Sequence, residues 1–170
     1  HVIDIESMEQ VAEYRGKIET EAYGNLLTQV ATEWNNALLL IENSSIGWAV
    51  IQQVINRGYQ NLFYMTEDLK YVDTENQWTN KWNAKDKRAV AGFTMSSRTR
   101  PLVISKLDLF FRDKSIIIHS KRVINELMTF VWTNGKAQAA KGYNDDLTMS
   151  FAIGLWVRDT ALRLRQEGID

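Results

Sequence analysis

The chain predicts an α/β domain with a mixed central sheet flanked by helices, and three observations carry that expectation. Short strand-like runs alternate with helical ones along most of its length. The apolar run Leu38-Leu39-Leu40-Ile41 is too brief for a helix, ends on polar Glu42-Asn43, and fits a central strand covered on both faces. A long helical pattern closes the sequence. An antiparallel hairpin ahead of alternating helices and strands makes the sheet mixed rather than purely parallel.

Val2 to Ile5 and Gln10 to Ile18, separated by Glu6-Ser7-Met8-Glu9, form that hairpin. From Thr20, a candidate N-cap, Tyr23, Leu26, Leu27, Val30 and Trp34 recur at helical spacing, and Asn35-Asn36 ends the run. The buried strand Ala37 to Ile41 follows. Ser44-Ser45 can cap a helix from Ile46 to about Asn56, with Gly58 just past its end. Leu62 to Met65 is the next strand. Thr66 to Gly92 is a long polar excursion, an irregular hairpin in outline, carrying Trp78 and Trp82 among Lys81, Lys85, Lys87 and Arg88. Those tryptophans either anchor the loop to the body or stack on bases and sugars.

Pro101, at a first-turn position, opens an amphipathic helix with Leu102, Ile104, Leu107 and Phe110 or Phe111 facing inward, stopping near Asp113-Lys114. Ile116 to Ile118 is a strand and Lys121 to Met128 a short helix. Thr129 to Ala140 is a hairpin turning at Asn134-Gly135. Asn144 then caps the closing helix, which runs to about Gln166.

At 170 residues with 45% apolar content, the chain suits one compact domain, 1–170; a chain of that size buries roughly 70% of its unfolded surface. The absence of cysteine excludes disulfides and thiolate zinc sites, and fits a reducing, cytosolic setting. No apolar run approaches the roughly 18 residues of a membrane helix, and no charged-then-apolar leader opens the sequence, so neither export nor a membrane partner is expected. His1-Val2-Ile3-Asp4-Ile5 already alternates like a strand and has no initiating methionine, which reads as a fragment of a longer protein.

The net charge of −1 conceals a segregation along the chain. Residues 1–80 hold 4 Lys/Arg against 12 Asp/Glu, whereas residues 81–141 hold 13 against 4. The middle segment is therefore either a surface for a polyanion, gaining affinity by counterion release, or a solvated face balanced by acidic helices.

Two acidic stretches carry the chemistry. Glu42 ends a strand, where ligands of α/β sheets gather, and Asp145-Asp146 stand at the start of the last helix, whose dipole favours carboxylates. Mg2+ and Mn2+ are hard ions that take oxygen ligands, and two such ions need three or four convergent acids to cut a phosphodiester. Taken singly, Asp145-Asp146 also fit ordinary first-turn acids and Glu42 a solvated strand end. No G-x-x-x-x-G-K-[ST] or G-x-S-x-G pattern occurs, and His1 and His119 are too few for a zinc or triad site.

Three segments, Ile41-Glu42-Asn43-Ser44-Ser45-Ile46-Gly47-Trp48, Ser97-Arg98-Thr99-Arg100-Pro101-Leu102 and Gly142-Tyr143-Asn144-Asp145-Asp146-Leu147, resemble in order and spacing the C-terminal nuclease domain of tailed-phage large terminases, the DNA-packaging motor subunit, particularly of myovirus type. The resemblance covers nearly the whole chain. It implies an RNase H-like, RuvC-type fold and a two-metal endonuclease, with Mg2+ or Mn2+ as cofactor, that cuts concatemeric double-stranded viral DNA. It implies Glu42 as the second metal-binding acid and Asp146 as the third, with Asp145 beside it as an auxiliary ligand. Phosphate contacts are expected from Arg98, Arg100 and Lys106, the first two just before a helix start where backbone amides also face phosphate.

Partners implied are the phage portal and the small terminase subunit, in the cytoplasm of an infected bacterium, with an ATPase upstream. Many members carry histidine where Asn144 stands. The family's first acid lies on a strand preceding the one that resembles Val2 to Ile5, so the first strand is expected to be missing; Asp4 matches no family ligand. Another RNase H-like nuclease, a resolvase or integrase, and a catalytically silent packaging or portal-docking module are the alternatives.

Overall fold

The computed structural model of the chain describes residues 1–66 and 89–166. In chain order the elements are β1 (Val2–Asp4), β2 (Glu9–Ala12), α1 (Thr20–Glu33), α2 (Gly47–Asn56), β3 (Tyr64–Thr66), β4 (Ala89–Ala91), α3 (Thr99–Arg112), β5 (Ile117–Ile118), α4 (Lys121–Met128), β6 (Phe130–Thr133), β7 (Lys136–Ala139) and α5 (Asp146–Gln166). The protein is thus mixed α/β. Among the described residues the strands form three separate sheets, β1-β2-β5, β3-β4 and β6-β7. No helix among them is long and apolar enough to cross a membrane. Trp78, Trp82, Lys81, Lys85, Lys87 and Arg88 lie outside the described residues. The chain divides into two compact units, one of His1–Gly16 with Ser97–Asp170, the other of Lys17–Ser96.

In the first unit, β1 and β2 pair antiparallel with a register shift between Val2 and Ile3, and β2 pairs parallel with β5. That small sheet is mixed, as expected, but β2 stops at Ala12 rather than Ile18. The β1–β2 turn is closed by Asp4, whose Oδ1 accepts from the Glu6 amide at 2.9 Å and the Ser7 amide at 3.3 Å. The centre of the unit is α5. Leu147, Phe151, Ala152, Leu155 and Val157 are buried on it, and a Cβ at Gly154 would meet Ile3 Cδ1 at 2.7 Å, so β1 lies close against this helix.

Against α5 packs α3, through a buried stripe of Thr99, Val103, Leu107 and Phe110. Leu102 is exposed instead. This helix is apolar on more than one side, so spacing alone did not fix which stripe turns inward. Its end is a Schellman turn, Lys114 N to Phe111 O and Ser115 N to Phe110 O, with Lys114 at φ +50°. The β6–β7 hairpin turns at Asn134-Gly135, both at positive φ (52° and 74°), as that dipeptide predicts. Ser120 caps α4 by accepting from the Val123 amide.

The second unit packs α1 on α2. The contact runs through Gly24, where a Cβ would lie 2.7 Å from Gln53 Cβ; Ala31 is also buried on α1, while Trp34 at the end of the predicted stripe is exposed. Thr20 is the first helical residue rather than the cap, and neither α1 nor α2 has a side-chain cap; Ser44 donates elsewhere. At the far end of α2, Gly58 at φ +74° completes a Schellman turn with Tyr59 N to Val54 O, as its position predicts. Beneath the helices lies a cluster of Ile41, Val50, Ile51, Val54 and Leu62. The run predicted as a buried strand is extended but pairs only briefly, through parallel bridges Leu39–Leu62 and Glu42–Phe93.

Tyr59 ties this layer together: its hydroxyl donates to the Ala37 carbonyl at 2.5 Å, and burial pushes the phenol up to about 12. A phenol that ionises at 10 when unfolded and near 12 when folded stabilises the protein fully below pH 10 and loses that contribution as pH rises toward 12. Urea denaturation of the wild type and Tyr59→Phe between pH 9 and about 12 is expected to show the wild-type advantage shrinking through that window. An advantage constant with pH refutes the assignment.

Candidate functional site

Glu42 is positioned by backbone. The Phe93 amide donates to the Ile41 carbonyl at 2.7 Å and the Asn43 amide to the Phe93 carbonyl at 2.9 Å, so Glu42 sits within a short parallel ladder. Gly92 beside it adopts φ +81°, and a Cβ there would meet the Ile41 carbonyl oxygen at 2.5 Å and Ile51 Cδ1 at 2.6 Å. Only glycine admits both the conformation and the approach. Buried Asn43 locks the junction, its Nδ2 donating to the Ala91 carbonyl and to Thr94 Oγ1, each at 3.0 Å.

The chain then reverses into α2 through Ser45 at φ +49°, with the Gly47 amide donating to the Ser44 carbonyl. A Cβ at Gly47 would collide with the Glu42 carbonyl oxygen. The side chain of Glu42 is exposed, and its Oε1 accepts from Ser44 Oγ at 2.9 Å. The first motif therefore forms a strand–turn–helix that presents one carboxylate to solvent.

The other candidate acids belong to the first unit. Gly142 at φ +89° turns the chain out of β7, and α5 begins after Asp145, whose carbonyl accepts the Met149 amide at 2.8 Å. Asp145, not Asn144, thus occupies the capping position; Asn144 is exposed. The two acids differ. Asp146 is exposed in the first helical turn.

Asp145 is half-buried, and its Oδ2 accepts from Arg100 Nη2 at 2.7 Å. The same nitrogen donates to the Ala137 carbonyl at 3.1 Å. A charge-assisted contact of this kind contributes about 1–2 kcal/mol once solvent screening is allowed for. Arg100, on α3, so binds together the second and third motifs and strand β7.

Arg98 stands exposed at the N-terminal boundary of α3, on nearly the opposite side of the helix from Arg100, since two residues span about 200°. Lys106 is half-buried, with its ammonium 5.6 Å from the centre of the Phe110 ring. The three expected phosphate contacts thus have different surroundings. Asp4 serves the β1–β2 turn.

Two residues that sequence reasoning passed over shape the first unit. Gln10, buried in β2, accepts with Oε1 from the His119 and Ser120 amides at 3.1 and 2.8 Å. Glu126, buried on α4, accepts with Oε2 from the Thr148 amide at 3.0 Å and lies 3.4 Å from Arg15 Nη1. Its carboxylate satisfies a first-turn amide of α5 across 22 residues of sequence. No local pattern announces either contact.

No protein-family model matches the chain.

As a metal centre, the donor set is right in kind and short in number. Glu42, Asp145 and Asp146 are hard oxygen ligands suited to Mg2+ or Mn2+. Among the described residues, however, no group of three His, Cys, Asp or Glu side chains is gathered to hold an ion. Glu42 belongs to one unit and the aspartates to the other.

The geometry around Glu42 yields a stability prediction. Gly47→Ala is expected to displace the Glu42 carbonyl and cost about 1–3 kcal/mol, whereas Ser44→Ala, which removes one contact to an exposed carboxylate, costs less than about 0.5 kcal/mol. Equal midpoints for the two variants in guanidinium denaturation contradict this account of the turn.

Proposed function

We propose that the chain is a metal-dependent DNA endonuclease domain of the tailed-phage large terminase type, built on an RNase H-like fold and acting on concatemeric double-stranded viral DNA. One observation supports the reading above the others. The Ser97–Leu102 and Gly142–Leu147 segments, two of the three that carry the resemblance, meet through the 2.7 Å contact of Arg100 with Asp145. The remaining segment forms a compact turn that exposes Glu42.

In this reading Glu42 and Asp146 are oxygen ligands on rigid supports, a strand-to-helix turn and a helix N-terminus. Two Mg2+ or Mn2+ ions, when bound, supply activation of water and stabilisation of the leaving oxygen. The chain's own contribution is to position the carboxylates and to bring Arg98 and Lys106 to backbone phosphates. Working in an infected bacterial cytoplasm beside a portal and a small terminase subunit follows from the same reading.

With supercoiled plasmid, nicking is expected with Mg2+ or Mn2+ and not with EDTA. Glu42→Ala and Asp146→Ala are each expected to slow it by roughly a hundredfold or more, as loss of several kcal/mol of charge stabilisation requires. Undiminished cutting by both variants removes the assignment. No cutting with either metal favours a silent packaging or portal-docking module, and faster cleavage of four-way than linear DNA favours a resolvase.

Binding gives a separate check. Arg98→Glu with Lys106→Glu is expected to weaken DNA affinity and reduce the slope of log K against log salt by about 2, near 0.9 per lost phosphate contact. An unchanged slope assigns the DNA surface elsewhere.

A further inference from the structure

Apart from the candidate acids, the first unit holds a second cluster of polar groups, at the carboxyl ends of its parallel strand pair. β2 and β5 run side by side, with Gln10 opposite Ile118, and the chain passes from β5 through His119 and Ser120 into α4. A cavity of about 350 Å³ opens there, bordered by Gln10 and Glu13 on one side and by His119, Lys121 and Arg122 on the other. Crevices outside the carboxyl ends of parallel strands are where open α/β sheets take ligands. We propose that this cavity binds a phosphate group, free or at the end of a phosphate ester. The inference uses none of Glu42, Asp145 and Asp146 and does not rest on the nuclease reading.

Gln10 carries the argument. It is only 1% exposed, and its Oε1 is taken twice, by the His119 and Ser120 amides at 3.1 and 2.8 Å. Those two bonds fix which way the carboxamide lies, so Nε2, with two N–H donors, is the atom left to face the cavity. Among the described residues no acceptor meets it. A buried amide nitrogen that donates to nothing is costly, and an anionic oxygen in the cavity satisfies it.

The start of α4 supplies further donors. Ser120 accepts the Val123 amide through Oγ and the Ile124 amide through its carbonyl, which leaves the Lys121 and Arg122 amides without acceptors among the described residues. Backbone amides at a helix start favour phosphate, with the helix dipole behind them. The side chains of Lys121 and Arg122 bring positive charge to the same cavity. Glu13 is 12% exposed, and its Oε1 accepts from Arg122 Nε, which orients the guanidinium and leaves its Nη atoms without protein acceptors. Donors from a strand side chain, a helix start and a guanidinium suit the tetrahedral oxygens of phosphate better than a planar carboxylate. A second cavity of about 230 Å³ shares His119, Ser120 and Lys121 and adds Ile118 and Ile124, an apolar wall for the organic part of an ester.

Titration of the 15N-labelled full chain with sodium phosphate at constant ionic strength tests the proposal. The Lys121 and Arg122 amides and the Gln10 side-chain amide are expected to shift together along one saturating curve, with acetate binding about tenfold more weakly. Gln10→Glu keeps Oε1 and replaces the donors by an acceptor, and is expected to weaken phosphate binding about tenfold or more. Arg122→Gln, on an exposed side chain, is expected to weaken it about three- to tenfold; should Gln10→Glu disturb the fold, this variant and the wild-type shifts decide.

A 5′-phosphorylated dinucleotide that binds more tightly than inorganic phosphate, while its unphosphorylated form stays unbound, supports the proposal with an ester as the source. Binding no tighter than inorganic phosphate supports it with free phosphate as the source. Absence of shifts at Lys121, Arg122 and Gln10 overturns the proposal. An equal response to acetate, undiminished binding by Arg122→Gln, or equal binding of the unphosphorylated dinucleotide overturns it as well.

Discussion

An ion pair between two half-buried side chains, Arg100 and Asp145, determines where α5 begins, and much of the first unit is arranged around that point. The helix must start close to the end of β7, because the guanidinium that holds Asp145 also holds the Ala137 carbonyl. From that start the apolar residues of α5 fall against Val103, Leu107 and Phe110 of α3, and Gly154 comes close enough to β1 to exclude a Cβ. The Glu126 carboxylate supplies what an N-cap side chain would otherwise supply, from a different helix. A helix start secured by two long-range charged contacts is costly to disturb, since removing either partner leaves a buried or half-buried charge unmatched.

The two motif regions reach definite geometry by different means. Around Asp145 the restraints are side chains with complementary charge. Around Glu42 they are backbone hydrogen bonds to Phe93 and two glycines packed where no Cβ fits. The second kind of restraint resists salt and pH, because no titrating group takes part in it, whereas the first weakens when either charge is lost. The exposed carboxylates at Glu42 and Asp146 stand on these supports and add little to them.

Much of the element order was legible in the sequence, for local reasons. Asn134-Gly135 demanded a tight hairpin turn, Gly58 a helix end, and Lys121 to Met128 formed a helix over those very residues. What stayed hidden depends on partners far away in the chain. Nothing in the spacing of α3 could choose Val103 over Leu102 for the interior, because both faces carry apolar residues and only the presence of α5 decides. Asn144 and Asp145 are equally good caps by type, and the one that stands in that place is the one paired with Arg100 from another helix. Gln10 and Glu126 were invisible as structural residues, since a buried polar side chain is marked only by the amides it meets. The acids themselves, Glu42, Asp145 and Asp146, were legible; the unequal surroundings of the aspartates were not.

The segregation of charge along the chain has a counterpart in these contacts. Within the first unit, the acidic opening segment supplies Glu13 to Arg122, while Arg100 takes Asp145 from the last segment. Arg112 bonds Asp108 one turn away, and that hydrogen bond holds its guanidinium even more firmly protonated than usual. Basic residues that count as an excess in sequence are therefore partly matched by acids from the opening and closing segments. A polyanion meeting this unit would find its field reduced to the cations whose charge is not so matched, and the number of phosphates it neutralises would fall well below what the composition of residues 81–141 suggests. Charge counted along a sequence sets an upper bound on such a surface; pairing in the fold sets its working size.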